Sequence, residues 1–232
     1  MFPIRDDVPS RHAPIVTWLI IGLNVAVFVH EMLLPMPLLE GFVESWGFVP
    51  AALTGSGGGG ATLATSMFLH GGLFHLAANL WTLWIFGDNV EDRMGPIPYL
   101  VFYVLCGVAA GLVHWVSDPA STVPTVGASG AISGVMGAYF LLYPRARIVL
   151  LIPVLFWPVF VEVPALVFLA IWFVGQLWSG ASAGLAPVEE AGIAWWAHVG
   201  GFLAGMLLVR IFAHRPAPPT RGGGRRVLAY RG

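Results

Sequence analysis

The 232-residue chain has no lysine, a single cysteine and few charges of either sign: only 10% of its residues are charged, against roughly a quarter in a soluble domain. With 57% hydrophobic residues and a mean hydropathy of +0.80, so few charges cannot cover a surface in water. That excludes a soluble globular protein, and the apolar content excludes a disordered one. Cys106, alone in an apolar run, leaves no intrachain disulfide and no thiolate metal cluster. A net charge of -1 carries no nucleic-acid signature. Because lysine is missing, all eleven basic residues are arginine, which together with 29 glycines suggests a GC-rich genome.

What is present is apolar sequence enough for about six spans of ~20 residues. The runs predict membrane helices at Ile15 to Leu34, Ser66 to Phe86, Ile97 to Val116, Thr125 to Tyr143, Val163 to Ser179 and Ile193 to Phe212. The first follows the polar stretch Arg5, Asp6, Asp7 and Arg11 and precedes no small-residue cleavage site, so it reads as a span rather than a removed signal peptide. Between Ile148 and Phe160 a further apolar stretch is interrupted by Pro153 and Pro158, and reads as an interfacial or re-entrant piece.

Arginine placement sets direction. Arg5 and Arg11 precede the first run, Arg93 lies between the second and third, Arg145 and Arg147 follow the fourth, and the remaining six end the chain. The positive-inside bias then puts both termini and the even-numbered loops in the cytoplasm, which requires an even number of spans. The outer loops run from Pro35 to Thr65, Ser117 to Pro124 and Gly180 to Gly192. The first carries a glycine tract around Ser56, read as a flexible insertion.

Ionisable and amide side chains within a span are costly and usually functional. Those noted are Asn24, His30 and Glu31 in the first run, His70, His75 and Asn79 in the second, His114 in the third and His198 in the sixth. At ~1.5 Å per residue, His75 and Asn79 fall about 13 and 19 Å in from Ser66, Ser129 about 6 Å into the fourth run, and His198 about 7 to 8 Å into the sixth. One serine, two histidines and an asparagine on three helices thus share the outer half of the bilayer.

Such a set allows nucleophilic acyl transfer. Serine needs a base, and histidine titrates near neutrality, so Ser129 and His198 pair as nucleophile and base. His75 and Asn79, four residues apart on one helical face, offer donors to the oxyanion, joined by the Ser129 backbone N–H. With no carboxylate in the outer half of the later spans to orient His198, a Ser-His dyad is expected rather than a triad.

Several of these residues also have plain structural readings. The glycines of Gly130 to Gly134 and Gly201 to Gly205 suit close helix packing. His114 reads as bonded to a neighbouring helix. Ser133, one turn from Ser129, reads as a hydroxyl bonded to its own helix. A metal site from His70, His75 and His198 is disfavoured, since no His-Glu-x-x-His pattern or carboxylate joins them; no metal or other cofactor is expected.

Taken together, Gly127-Ala128-Ser129-Gly130, the run from Phe68 through His70 and His75 to Asn79, the stretch Phe86 to Asp92, and Ala197-His198-Val199-Gly200-Gly201-Phe202-Leu203-Ala204-Gly205 resemble the rhomboid intramembrane serine proteases over nearly the whole chain. The resemblance implies Ser129 as nucleophile, His198 as general base, and His75, Asn79 and Ser129 forming the oxyanion hole. It makes His70, Gly127 and Gly130 structural near the site. The expected fold is an all-α membrane protein, a six-transmembrane-helix rhomboid-like bundle with both termini cytoplasmic. Residues 1–14 would form a cytoplasmic segment, 15–213 the six-span domain and 214–232 a disordered basic tail, which could contact anionic lipid.

The resemblance also implies endopeptidase cleavage of transmembrane substrates near the outer interface, by lateral access past the second and fifth spans. The alternative is a non-proteolytic relative that binds or routes membrane proteins. The expected location is a bacterial inner (plasma) membrane. The sequence departs from the family pattern in two places. Ala61 and Thr62 stand where many members carry a tryptophan-arginine pair, and Ser133 stands where some carry an aromatic that packs on the catalytic histidine, so His198 needs another packing partner.

Overall fold

The computed structural model describes residues 2–54, 59–154, 157–183, 194–214 and 216. Positions 55–58 of the glycine tract, most of the third outer loop and nearly all of the basic tail lie outside the described residues.

In chain order the protein forms strand β1 (Phe2–Asp6), helix α1 (Ile15–Leu33), the short first-loop helices α2 (Met36–Trp46), α3 (Pro50–Leu53) and α4 (Thr62–Thr65), and a 3₁₀ turn at Ser66–Phe68. There follow helices α5 (Leu73–Met94), α6 (Pro96–Ser117) and α7 (Ser129–Leu142), strands β2 (Arg147–Val154) and β3 (Trp157–Pro164), and helices α8 (Ala165–Ala183) and α9 (Trp195–Phe212).

A helix therefore stands over each of the six apolar runs. Among the described residues α1, α6, α8 and α9 are long and apolar enough to cross a membrane, while α7 is apolar but shorter. Helix α5 is long enough but carries Asp88, Glu91, Asp92 and Arg93 near its C-terminal end. Leu19, Leu23, Ile171, Val174, Leu207 and Ile211 point outward, exposed, as side chains solvated by lipid do.

The fold is mostly helical but not all-α. The stretch expected to be interfacial or re-entrant is a hairpin, and β1, β2 and β3 form an antiparallel sheet in that order. Pro153 pairs with Pro158 next to the tip, where the pairing ends at Val154 and Trp157; prolines are tolerated at such strand ends. Burial alternates along the start of β2, with Ile148 and Leu150 inside, a period-2 pattern that proline-interrupted hydropathy conceals. Strand β1 adds Phe2 opposite Leu151 and Asp6 opposite Ile148.

The N-terminal segment is tied into this end of the bundle. The Trp81 indole donates to the Pro3 carbonyl at 2.6 Å, Tyr139 donates to Asp6, and Asn89 donates to the Val8 carbonyl at 3.2 Å. Burial raises the Asp6 carboxyl to about 6, against the opposing pull of the Tyr139 bond. Asp92 accepts from the Arg11 backbone at 3.3 Å and meets His12 Nδ1 at 2.5 Å. Helix α1 has no side-chain cap of its own. Glu91 supplies one from α5, accepting from Val16 N at 2.9 Å and from both N and Oγ1 of Thr17 at 2.8 Å. A carboxylate at a helix N-terminus meets unpaired N–H groups and the positive end of the dipole. The acidic motif after the second run is thus the anchor of the N-terminal segment and of α1.

Gly95 alone separates α5 from α6, at φ 84°, with Pro96 opening the next helix. Only glycine takes that conformation without strain, and proline suits a first helical position.

Helices α7 and α9 pack through their small residues. A Cβ on Gly201 would meet the carbonyl of Gly130, one on Gly205 that of Gly134, and one on Gly137 that of Phe202. This is the close approach expected of small residues four apart. It brings the start of α7 beside the start of α9.

Candidate active site

The polar residues gather at helix beginnings. Ser129 is the first residue of α7, His75 the third of α5 and His198 the fourth of α9. The expected helix starts at Ser66 and Thr125 were too early, so the depths counted from them overstate how far along its helix each residue lies. Ser66 is in the 3₁₀ turn, and His70 precedes α5 rather than lying in it. Position 193 is outside the described residues. Ser129, His75 and His198 share a place at helix N-termini, where unpaired N–H groups and the helix dipole favour negative charge.

His198 Nε2 lies 2.8 Å from Ser129 Oγ, hydrogen-bond distance for a nucleophile and its base. Both are half-buried. Ser133 is buried and its hydroxyl donates to the Ser129 carbonyl at 2.7 Å, the helix-bonded geometry expected of it.

His75 and Asn79 flank the segment that leads into Ser129. Gly127 has φ 124°, and a Cβ there would stand 2.7 Å from the His75 imidazole and 3.6 Å from Asn79 Nδ2. Glycine is thus required both by the backbone and by the ring beside it. Gly127 N donates to the Ser66 carbonyl at 2.9 Å, and Phe48 and Thr125 exchange backbone hydrogen bonds, so the first loop holds this segment in place. Gly130 faces Ala110 and Ala197.

His70 is buried, with Nε2 3.0 Å from Asn79 Nδ2 and its ring 5.0 Å from that of His75. Its backbone N–H meets the Glu31 carboxylate at 3.3 Å, which gives that intramembrane acid a structural task. His114 lies 3.0 Å from Thr125 Oγ1, in the segment that precedes α7 rather than in a neighbouring helix as expected. His70, His75 and His198 are not joined as a metal site, and among the described residues no group of three His, Cys, Asp or Glu side chains could hold a metal ion.

Three residues of the site were missed. Gln176, buried on α8, accepts from His198 Nδ1 at 2.7 Å. The indole of Trp172 lies 6.0 Å from the His198 ring, tilted by 35°, and that of Trp195 lies 6.1 Å away at 90°. These indoles are the packing partners that Ser133 cannot provide. Gln176 is the only glutamine in the chain and stands in an apolar run; an amide at such a position is the signal that marked Asn79.

Residues 58–215 match the model of the Rhomboid domain. Rhomboid protein 1, mitochondrial, of Saccharomyces cerevisiae is 26% identical over 202 residues, 85% of this chain and 53% of that protein. RHOMBOID-like protein 5 of Arabidopsis thaliana is 32% identical over 155 residues, 66% of this chain and 44% of that one. The human presenilin-associated rhomboid-like protein, mitochondrial, is 34% identical over 88 residues, 37% of this chain and 23% of that one. The chain thus spans about half the length of the yeast relative and about a quarter of the human one. It is an integral, multi-pass membrane protein. Two of these relatives are named as mitochondrial, and none of the three names supports the expected bacterial inner membrane.

Proposed function

We propose, since this chain belongs to the rhomboid family, that it is a serine endopeptidase that cleaves transmembrane segments of membrane-protein substrates near the outer membrane interface. The observation that carries the proposal is the 2.8 Å approach of Ser129 Oγ to His198 Nε2. In this reading the domain spans residues 15–213 with six spans. Residues 1–14 and 214–232 are cytoplasmic, the latter as a basic tail.

Helix α7 supports an intramembrane site. Its 14 residues rise about 21 Å at ~1.5 Å each, well short of a hydrocarbon core of about 30 Å. With the sheet end of α7 at the cytoplasmic boundary, Ser129 sits about 10 Å below the outer one. Water and a substrate carbonyl must then reach it through a cavity above the helix start.

In this reading the reaction runs in two stages. His198 Nε2 takes the Ser129 proton as Oγ bonds to the scissile carbonyl carbon. The oxyanion that forms is held by the Ser129 backbone N–H, free of an intrahelical acceptor at the first helical position, with His75 and Asn79 beside it. Asn79 has two N–H groups, and the one not used on His70 can donate there. When the C–N bond breaks, the imidazolium returns its proton to the leaving amine. Water activated by His198 then hydrolyses the acyl-enzyme.

The test is cleavage of a model single-span substrate by purified protein in bilayers. Cleavage by the parent and none by Ser129→Ala is the expected result. Cleavage that persists in Ser129→Ala removes the mechanism. A parent that neither cleaves nor takes a serine-directed probe favours a membrane-protein binder instead.

A further inference from the structure

We infer that Gln176 is a positioning residue that holds His198 in the tautomer able to act as a base, completing a Ser129–His198–Gln176 line without a buried carboxylate. The inference rests on the assignment of Ser129 as nucleophile and His198 as base.

An amide in an apolar run is costly unless both of its ends are bonded, and both ends of Gln176 are. Its Nε2 donates to the Trp172 carbonyl one turn back on α8 at 3.4 Å, and its Oε1 lies 2.7 Å from His198 Nδ1. The Trp172 carbonyl can only accept, so the amide nitrogen faces it and the amide oxygen faces the imidazole. That oxygen can only accept as well. Nδ1 must therefore carry a proton, and in the neutral ring Nε2 is left with the lone pair 2.8 Å from Ser129 Oγ. The Trp172 and Trp195 indoles lie against the same ring, so α8 supplies a hydrogen-bond acceptor in Gln176 and a packing face in Trp172, and α9 adds Trp195.

The choice of an amide has a physical reason. A carboxylate at this place accepts the same proton and favours the imidazolium more, but requires a charge buried at membrane depth. The amide fixes tautomer and ring orientation at no charge cost. Among the described residues no carboxylate forms an ion pair with His198.

The experiment compares Gln176→Met, similar in length but without an amide acceptor, and Gln176→Glu, which keeps an acceptor, with the parent. All three carry 15N-labelled histidine, and His198 signals are assigned by their loss in His198→Ala. The parent is expected to show His198 protonated at Nδ1, Gln176→Glu to keep that state, and Gln176→Met to shift toward the Nε2-protonated form. In substrate cleavage, Gln176→Met is expected to lower kcat about 10- to 100-fold with KM within about twofold, and Gln176→Glu to recover most of the loss. An unchanged tautomer in Gln176→Met overturns the inference, as does an unchanged kcat. If Ser129→Ala cleaves as well as the parent, the protease assignment fails by itself, and the histidine spectrum still decides the role of Gln176.

Discussion

Ser129 Oγ and His198 Nε2 stand 2.8 Å apart although the residues are 69 positions apart in the chain. The approach depends on backbone contact between α7 and α9, where Gly201 and Gly205 lie against the carbonyls of Gly130 and Gly134. Helices with side chains between them keep interaxial distances of about 8 to 10 Å; bare glycines let backbones come closer.

Gly201→Ala and Gly205→Ala should therefore push the two helices apart, because each new methyl meets backbone rather than a movable side chain. Overpacking of this kind costs about 1 to 3 kcal/mol. A lower melting temperature in detergent and slower labelling of Ser129 by a serine-directed probe are the expected readouts. Gly22→Ala is the control, since a Cβ there meets nothing within 4 Å. If Gly22→Ala loses as much as Gly201→Ala, close packing is not what sets the Ser129–His198 distance.

Ser133→Ala should leave cleavage nearly intact. Its hydroxyl is committed to the Ser129 carbonyl at 2.7 Å, and losing one such bond costs about 1 kcal/mol. Mass spectrometry of the probe adduct should find the label on Ser129 in both parent and variant. An adduct on Ser133, or a variant as inactive as Ser129→Ala, would reassign the nucleophile.

Trp172→Ala should lower kcat by about tenfold and Trp172→Phe by much less, because a ring beside the imidazole restricts its rotation away from Ser129. The Trp172 and His198 ring centroids are 6.0 Å apart. The variants should bind substrate equally well, so the loss belongs in kcat. A loss confined to KM would instead make Trp172 part of the substrate surface.

The sequence made some of this legible and concealed the rest for identifiable reasons. Ser129, His198, His75 and Asn79 stood out because polar groups in apolar runs are scarce, and the structure places Ser129 beside His198 and both His75 and Asn79 beside Gly127. Gln176 is as conspicuous by the same test, yet it sits in no motif. Trp172 is one aromatic among ten tryptophans, and nothing local marks it as facing His198. The hairpin was concealed because Pro153 and Pro158 look like breaks in a hydrophobic run, whereas they face each other near its tip. Strand β1 is short, and its partner lies some 145 residues away in the chain, a pairing no local pattern can announce.

The Asp6 carboxyl gives the sheet end a pH dependence. Burial raises it from 3.8 to about 6, so the folded state favours the protonated form. The stabilisation is then fully present below pH 3.8 and lost as pH rises through about 6. Asp6→Asn keeps an acceptor for Tyr139 and removes the titration. Thermal melts should show the variant gaining on the parent as pH rises from 4 toward 7, and a gain that shrinks over this window would contradict the assignment.

Glu91 should prove a stability residue rather than a functional one. It accepts from Val16 N, Thr17 N and Thr17 Oγ1, and α1 has no other side-chain cap. Glu91→Ala leaves these buried donors unpaired, a loss of about 2 to 4 kcal/mol from capping and hydrogen bonding together. Thr17→Val removes only the hydroxyl bond and should cost about 1 kcal/mol. Because Glu91 lies in the last turn of α5 while His75 lies in its first, Glu91→Ala held well below its melting temperature should label at Ser129 as fast as the parent. Slow labelling of fully folded Glu91→Ala would mean that the two ends of α5 are coupled, and that this acid reaches the site through the helix.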